Sequence, residues 1–282
     1  MDELSTVHTP PALPVELPRS ETRKIGLPLI LFLATCYTTY YAGGPFFAAA
    51  LMTTLLAHEF GHFFQSVRHR VPASLPMFIP IPSSVSIIGT MGAVIAMQPG
   101  KGDRRAIFDI AITGPLAGLV FALLFSVIGL QMSEVVPMAQ TSMLRLGEPL
   151  LFKGLAYLMF GPLSAAQDVA LHPVAFAGWV GIFITALNLI PIGQLDGGHI
   201  LYALLLKKAH PIAQLLLFGA AAGVIAFGYW GWTLMLLLLL FIGPIHPPTA
   251  NDDVPLGTTR TVLGWVTLLF VIIGFTPTPF IL

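Results

Sequence analysis

The chain has 282 residues, of which 56% are hydrophobic and only 9% are charged, and its formal net charge is zero. A soluble domain usually has a charged fraction of about 25%, so this composition excludes a soluble α/β domain and predicts a polytopic membrane protein. The sequence has no basic stripe with interleaved aromatic residues, which argues against a nucleic-acid partner. Cys36 is the single cysteine, so an intramolecular disulfide and a cysteine-based metal site are excluded.

The start of the sequence is rich in proline and small polar residues. Residues 1–24 include four prolines, and we expect them to form a disordered N-terminal tail. We do not expect a cleavable signal, because Asp2 and Glu3 stand where positive charge would be needed and no apolar stretch begins before Lys24. Residues 25–282 are predicted to form a single intramembrane domain.

Two apolar runs follow the tail. Residues 25–42 have about the length of a membrane span, and the Gly-Gly-Pro sequence at 43–45 breaks this run before a second one that ends at Val67. Near the end of the second run, residues 58–62 read His-Glu-Phe-Gly-His. The basic cluster at residues 68–70 predicts that this end of the run lies at the cytoplasmic surface.

The spacing of the two histidines in this motif predicts a metal site. Residues four apart lie on one face of a helix, so His58 and His62 can bind the same ion, and imidazole nitrogen suits zinc. Glu59 is predicted to act as general base on a water molecule, as in H-E-x-x-H metalloproteases. The alternative is chance occurrence. However, a charged side chain at mid-membrane costs about 2.5–3.5 kcal/mol, so this cluster of ionisable groups is hard to explain without a metal.

Between residues 71 and 99 the pattern changes to extended structure. Prolines forbid a long helix there, and the apolar, β-branched stretches 77–81 and 85–95 predict a hairpin. Lipid cannot satisfy an open strand, so we expect the hairpin to be buried against helices or to line a wet cavity. Two interpretations remain open: a hydrophobic connector, or a strand edge, with Val94 and Ile95 on it, that pairs with an unwound substrate segment.

The next predicted span, residues 106–129, contains one ionisable residue, Asp109. We interpret it as a first-turn carboxylate favoured by the helix dipole, in preference to a catalytic group. Gly114 and Gly118 form a small-residue face suited to close helix packing. Charge then returns in residues 131–173, which we expect to form an extracytoplasmic loop with an interfacial helix or partial span.

A further predicted span leads into the sequence N-L-I-P-I-G-Q-L-D-G-G-H at residues 188–199. Asp196 is the best candidate for a third zinc ligand, because a carboxylate completes a site that has two histidines. The alternative is that Asp196 is the N-cap of a short helix at 197–206. His199 and His246 are interpreted as interfacial or capping residues, although His199 follows Asp196 closely enough to contact a ligand.

The remaining apolar segments complete the predicted topology. The run 211–245 divides near 228–231 into two spans, and residues 261–275 form the last, which gives about six to seven transmembrane helices. With this topology, all of the 13 Lys and Arg residues except Arg145 and Lys153 lie on one side. The positive-inside rule then predicts a multi-pass protein, in the cell membrane if the source is prokaryotic, with the zinc site towards the cytoplasm.

Taken together, the motif at 58–62 and the Leu-Asp-Gly sequence at 195–197 resemble the site-2 protease family of intramembrane zinc metalloproteases, in its compact form without a PDZ domain. The resemblance covers residues 27–275 and includes a membrane-re-entrant β-hairpin. One departure is the Pro-Ile-Gly sequence at 191–193, where many members have Pro-x-Pro.

The resemblance implies a fold, an activity and a set of roles. The implied activity is hydrolysis of a peptide bond in the transmembrane or juxtamembrane part of a membrane-anchored protein, within the lipid bilayer. The implied residues are His58, His62 and Asp196 as ligands of one zinc ion per chain, Glu59 as the group that activates water, and Asn188 near the substrate backbone or oxyanion.

Two other functions are compatible with metal-binding residues in a membrane bundle. A zinc transporter would need a second line of polar residues across the bilayer, and the sequence has none outside the predicted site. A catalytically silent membrane chaperone of the same fold would have no need of Glu59 beside a full ligand set.

Overall fold

The structure, a computed structural model, describes residues 25–98, 100–138 and 145–281, so the predicted disordered tail lies outside the described residues. The described chain is mostly helical, which confirms the helical character of the predicted fold. Its helices are α1 (Gly26–Arg68), α2 (Arg104–Gln131), α3 (Leu150–Phe160), α4 (Pro173–Asn188), α5 (Asp196–Leu205), α6 (Ala209–Phe227), α7 (Thr233–Ile242) and α8 (Thr258–Gly274).

The strands among the described residues are short and form three antiparallel pairs, β1 with β2, β3 with β5, and β4 with β6. They are β1 (Met77–Pro80), β2 (Thr90–Val94), β3 (Glu134–Pro137), β4 (Arg145–Leu146), β5 (Gln167–Ala170) and β6 (Phe280–Ile281). The first pair is the predicted hairpin between the first motif and the next helix.

Helix α1 has 43 residues and bends at Gly44, where φ is 80° and ψ is −177°. Only glycine adopts this backbone conformation readily, and Pro45 then lacks the N–H that a continuous helix would need. An unbroken helix of this length would extend about 64 Å, roughly twice the thickness of the hydrocarbon core of a bilayer. The predicted break is therefore confirmed, and the segment after it carries the histidine motif.

Among the described residues, two helical stretches are long and apolar enough to cross a membrane: Arg104–Gln131, and Asp196–Phe227, which joins α5 to α6. Four further apolar helices have only 10–17 residues, so the predicted number of spans stays a prediction. Many large hydrophobic side chains face outwards, among them Leu158, which is 81% exposed, and Phe241, which is 90% exposed. An apolar surface of this extent suits contact with lipid better than contact with water.

Helix α2 lies at the centre, with α1, α4 and α5 packed around it. Close approach depends on small residues: a Cβ atom at Gly61 of α1 would lie 2.7 Å from the carbonyl oxygen of Thr113. At the other end of α2, a Cβ atom at Gly129 would lie 2.0 Å from the backbone nitrogen of Ala175 on α4. The close packing predicted at Gly114 and Gly118 is confirmed, because a Cβ atom at either position would lie within 3.0 Å of a side chain of α1.

The hairpin packs against the first half of α1. The rings of Phe32 and Phe78 are 5.4 Å apart, and the hydroxyl of Thr38 donates to the carbonyl oxygen of Gly89 at 2.7 Å. The prediction that extended structure begins at residue 85 was wrong, because β2 begins at Thr90. Gly89 has φ +80°, a conformation of a turn residue and not of a strand.

The interpretation of Asp109 as a first-turn carboxylate was also wrong, because the first turn of α2 has no acidic residue. Asp103 caps this helix instead, accepting from the backbone nitrogen of Ala106 at 2.8 Å. The Asp109 carboxylate accepts from Nε and Nη2 of Arg260 at 2.7 and 2.9 Å, and it lies 3.1 Å from Nε2 of His69. These contacts join α2 to α8 and to the end of α1.

Candidate metal centre

Three metal-ligating side chains meet where α1 approaches the start of α5. Nε2 of His58 lies 3.3 Å from Oδ2 of Asp196, and Nε2 of His62 lies 3.3 Å from Oδ1 of the same carboxylate. The two Nε2 atoms are 3.1 Å apart. Among the described residues, this is the only group of three or more His, Cys, Asp or Glu side chains whose ligand atoms converge in this way.

The spacing of the three atoms fits a zinc ion. Ligand atoms about 2.0–2.1 Å from a tetrahedral zinc ion lie about 3.3 Å from one another, close to the separations seen here. Two imidazoles and one carboxylate are also a donor set that zinc accepts in catalytic sites, where a fourth position stays open. His58, His62 and Asp196 could therefore hold zinc.

The surroundings of the histidines fix their orientation. Nδ1 of His62 lies 2.7 Å from the carbonyl oxygen of Ile110, which can only accept, so Nδ1 carries the hydrogen and the lone pair of Nε2 points into the cluster. On α2, a Cβ atom at Gly114 would lie 2.1 Å from Nε2 of His62, and one at Gly118 would lie 3.0 Å from Cβ of His58. Sequence reasoning found the small-residue face but not its contact with the ligands.

Asp196 is the first residue of α5, and the residue before it, Leu195, makes no side-chain cap. The Asp196 carboxylate lies against the two histidines, where it could serve as a third ligand. The approach to α5 is tight, since a Cβ atom at Gly197 would lie 2.0 Å from the carbonyl oxygen of Leu189. Gly193 has φ +58°, which a proline ring cannot adopt, so this loop takes a path that Pro-x-Pro would not allow.

Glu59 is buried beside the cluster, with only 4% of its surface exposed. Its carboxylate is close enough to His58, His62 and Asp196 for their charges to act on it. A buried carboxylate beside the candidate ligands can take up a proton from a reacting group.

The other predicted site residues lie at different distances from the cluster. Nδ2 of Asn188, the last residue of α4, is 3.3 Å from Nε2 of His58. Val94 is the last residue of β2 and is 49% exposed, and Ile95 follows it, so both belong to the hairpin and not to the ligand cluster. His199 and His246 are not among the converging ligands, and their rings contact each other.

The chain matches a known protein family. Residues 46–227 match the family model described as peptidase family M50. The Arabidopsis thaliana protein named probable zinc metalloprotease EGY1, chloroplastic, is 33% identical over 253 residues, which are 83% of this chain and 44% of that protein. Its namesake in Oryza sativa subsp. japonica is 31% identical over 244 residues, 82% of this chain and 40% of that protein.

A third relative, probable zinc metalloprotease EGY2, chloroplastic, of Arabidopsis thaliana, is 30% identical over 242 residues, which are 82% of this chain and 42% of that protein. The chain thus spans about two fifths of the length of these curated relatives. No solved structure matches the chain.

Proposed function

The chain belongs to peptidase family M50, and from that premise we propose that it is a zinc-dependent intramembrane endopeptidase. Its substrates are membrane-anchored proteins, cut in their transmembrane or juxtamembrane segments. The observation that carries the proposal is the convergence of His58, His62 and Asp196 to 3.1–3.3 Å, beside the buried carboxylate of Glu59.

The proposed roles follow from the chemistry of each group. One zinc ion per chain, held by His58, His62 and Asp196, supplies Lewis acidity that makes water a competent nucleophile near neutral pH. Glu59 accepts the proton of the attacking water on its carboxylate and returns it to the nitrogen of the departing amine. The amide of Asn188, beside His58, donates to the substrate carbonyl oxygen as negative charge develops on it.

The hairpin is proposed to receive the substrate backbone. A peptide bond in a helix is shielded by side chains and by its own hydrogen bonds, so cleavage requires local unwinding, which costs several kcal/mol in lipid unless new partners appear. In the described part of the chain, β2 pairs with β1 and with no other strand. Its other edge, at Val94 and towards Ile95, can therefore pair with an unwound segment.

The placement in the membrane is also part of the proposal. Residues 25–282 form one domain with about six to seven membrane-crossing helices, a re-entrant hairpin and a metal centre nearer the cytoplasmic face. The exposed apolar side chains and the concentration of Lys and Arg on one predicted side support this arrangement. In a prokaryote the membrane is the cell membrane.

The test is cleavage of a single-span reporter protein in vesicles by wild type, Glu59→Gln and Glu59→Ala. Both variants keep the ligands, so we expect normal zinc content and a loss of cleavage of about 100- to 10,000-fold. Glu148→Gln is the matched control, because this exposed carboxylate pairs with Lys153 alone among the described residues, and it should cleave at the wild-type rate. Cleavage that survives in both Glu59 variants would overturn the proposed role.

A further inference from the structure

A second polar cluster lies beyond the metal centre and has no part in the chemistry proposed above. Tyr202 of α5 is stacked against two imidazoles, with its ring 4.3 Å from that of His246 and 5.7 Å from that of His210. The Tyr202 hydroxyl donates to Asp252 at 2.8 Å. His199 completes the cluster, with Nδ1 within hydrogen-bonding distance of Nε2 of His246.

His246 belongs to the loop at residues 243–257, between α7 and α8, and the loop is fixed to the bundle. The backbone nitrogen of Ala250 donates to the carbonyl oxygen of Gly102 at 2.8 Å. The guanidinium of Arg105 donates two hydrogen bonds to the carbonyl oxygen of Pro255, at 2.9 and 2.8 Å. His246 is only 6% exposed, so the loop presents its ring to His199 in one defined position.

The hydrogen bonds of His246 determine which nitrogen of each ring carries a hydrogen. Nδ1 of His246 contacts the carbonyl oxygen of Pro247, which can only accept, so this nitrogen must donate. Burial, together with the imidazoles of His199 and His210, lowers the pKa of His246 to about 3, so the ring is neutral. Nε2 of His246 is then an acceptor, and Nδ1 of His199 must donate to it.

His199 connects this arrangement to the metal centre. It lies three residues after Asp196 on α5, and residues three apart share a face of a helix. It is close enough to Asp196 and His62 for their charges to act on it. A neutral His199 that donates from Nδ1 has a lone pair on Nε2.

We propose that His246 holds His199 in the tautomer with hydrogen on Nδ1, so that Nε2 of His199 accepts a hydrogen bond from the N–H of a peptide bound at the metal centre. His199 then orients the scissile peptide, and His246 is a positioning residue that acts through it. The peptide part of this inference rests on the proposed function, whereas the tautomer does not.

The tautomer can be measured without any cleavage. Full-length, zinc-loaded protein in detergent micelles, with 15N-labelled histidine, gives a separate signal for each ring nitrogen, and His199→Gln assigns those of His199. We expect a protonated Nδ1 and an unprotonated Nε2 in wild type. In His246→Ala the His199 signals should shift towards a mixture of tautomers, whereas His246→Gln, whose amide oxygen can still accept, should restore the wild-type pattern.

Two substitutions at His199 distinguish whether this residue orients the bound peptide or only holds the loop in place. His199→Asn keeps an amide at about the position of Nδ1, whereas His199→Gln places an amide oxygen at about the position of Nε2. With a single-span reporter in vesicles we expect His199→Asn to cleave about tenfold more slowly than wild type, the effect of one lost hydrogen bond to the reacting peptide. His199→Gln should stay within about threefold of wild type, and zinc content should be unchanged in both.

Three results would overturn the proposal: hydrogen on Nε2 of His199 in wild type, a tautomer unaffected by His246→Ala, or His199→Asn that cleaves faster than His199→Gln. If the wild-type protein cleaved no reporter, the proposed function would fail, and the NMR spectra would still decide the tautomer. The two failures are therefore distinguishable.

Discussion

Two carboxylates buried between helices, Asp109 and Asp196, have different partners. Their side chains are similarly buried, 13% and 16% exposed. Asp109 faces the fork of Arg260, a permanent cation that matches both carboxylate oxygens. In the described part of the chain, Asp196 faces Nε2 of two histidines and pairs with no lysine or arginine. Burial alone therefore does not distinguish a metal ligand from an ion pair, whereas the presence or absence of a fixed protein cation does.

Replacing Asp196 with Asn should have the largest effect on metal binding. The amide lacks the anionic oxygen that offsets the charge of the ion, so we expect zinc affinity to fall by more than about 100-fold and cleavage to disappear. Zinc affinity is measured by competition with a chelator. Asp109→Asn is the matched control, because it removes the other buried carboxylate and should leave zinc affinity unchanged. If Asp196→Asn bound zinc with wild-type affinity, Asp196 would have a structural role and would not be a ligand.

Asp109→Asn should instead reduce stability. Removing one partner of a buried ion pair costs about 3–5 kcal/mol, and we expect about 1–3 kcal/mol here because 37% of the Arg260 side chain is exposed to solvent screening. Thermal unfolding in detergent measures the loss. The double variant Asp109→Leu with Arg260→Leu should recover much of it, since no unpaired charge then remains. A single variant as stable as wild type would show that the pair is not needed to hold α8 against α2.

A substitution in the hairpin should slow the cleavage of substrates and leave zinc binding unchanged. Val94→Pro removes a backbone donor from β2, so we expect cleavage of a helical reporter to slow several-fold with zinc still bound. A reporter with a central Gly-Pro pair needs less unwinding and should be less affected. Val94→Thr keeps the N–H and the β-branched shape and serves as the control. If Val94→Pro slowed both reporters equally, with its folding verified, the hairpin would be a packing element only.

Replacing Asp252 with Asn should have the smallest effect, a slight loss of stability. Burial would raise its pKa, but hydrogen bonds from Thr249 and Tyr202 outweigh this and hold the pKa below its usual range. A carboxylate whose folded pKa is lowered stabilises the protein above its unfolded pKa of about 3.9, and this contribution disappears as pH falls through the folded value. Asp252→Asn should thus lose less than about 1 kcal/mol at pH 7 and nothing at low pH, because the side chain is only partly buried and solvent screens its contacts.

The sequence was sufficient for features with a local cause. The break at Gly44 and the hairpin between residues 71 and 99 follow from glycine, proline and apolar patterning, and the structure contains both. The two histidines were predicted because a four-residue spacing places them on one helix face. The assignment of zinc to them and to Asp196 drew also on the family resemblance.

Features with distant partners could not be read from the sequence. Arg260 lies 151 residues from Asp109, so the sequence suggested only the helix dipole or a catalytic role for this carboxylate, and the structure revealed the ion pair. The partner of Nδ1 of His62 is the backbone carbonyl of Ile110, which leaves no trace in residue type. The contact between His199 and His246 likewise depends on the path of the loop between α7 and α8.

The glycines of α2 have a consequence for anyone who wishes to transplant this centre. A Cβ atom at Gly114 would occupy the place where Nε2 of His62 now lies, so the ring exists in its present pose only because the facing helix has no side chain there. Gly118 likewise leaves space for the side chain of His58. A designer who copied the three ligands onto another bundle would also have to clear two positions on the opposite helix. The site thus depends on the absence of side chains at these two positions as much as on the presence of its three ligands.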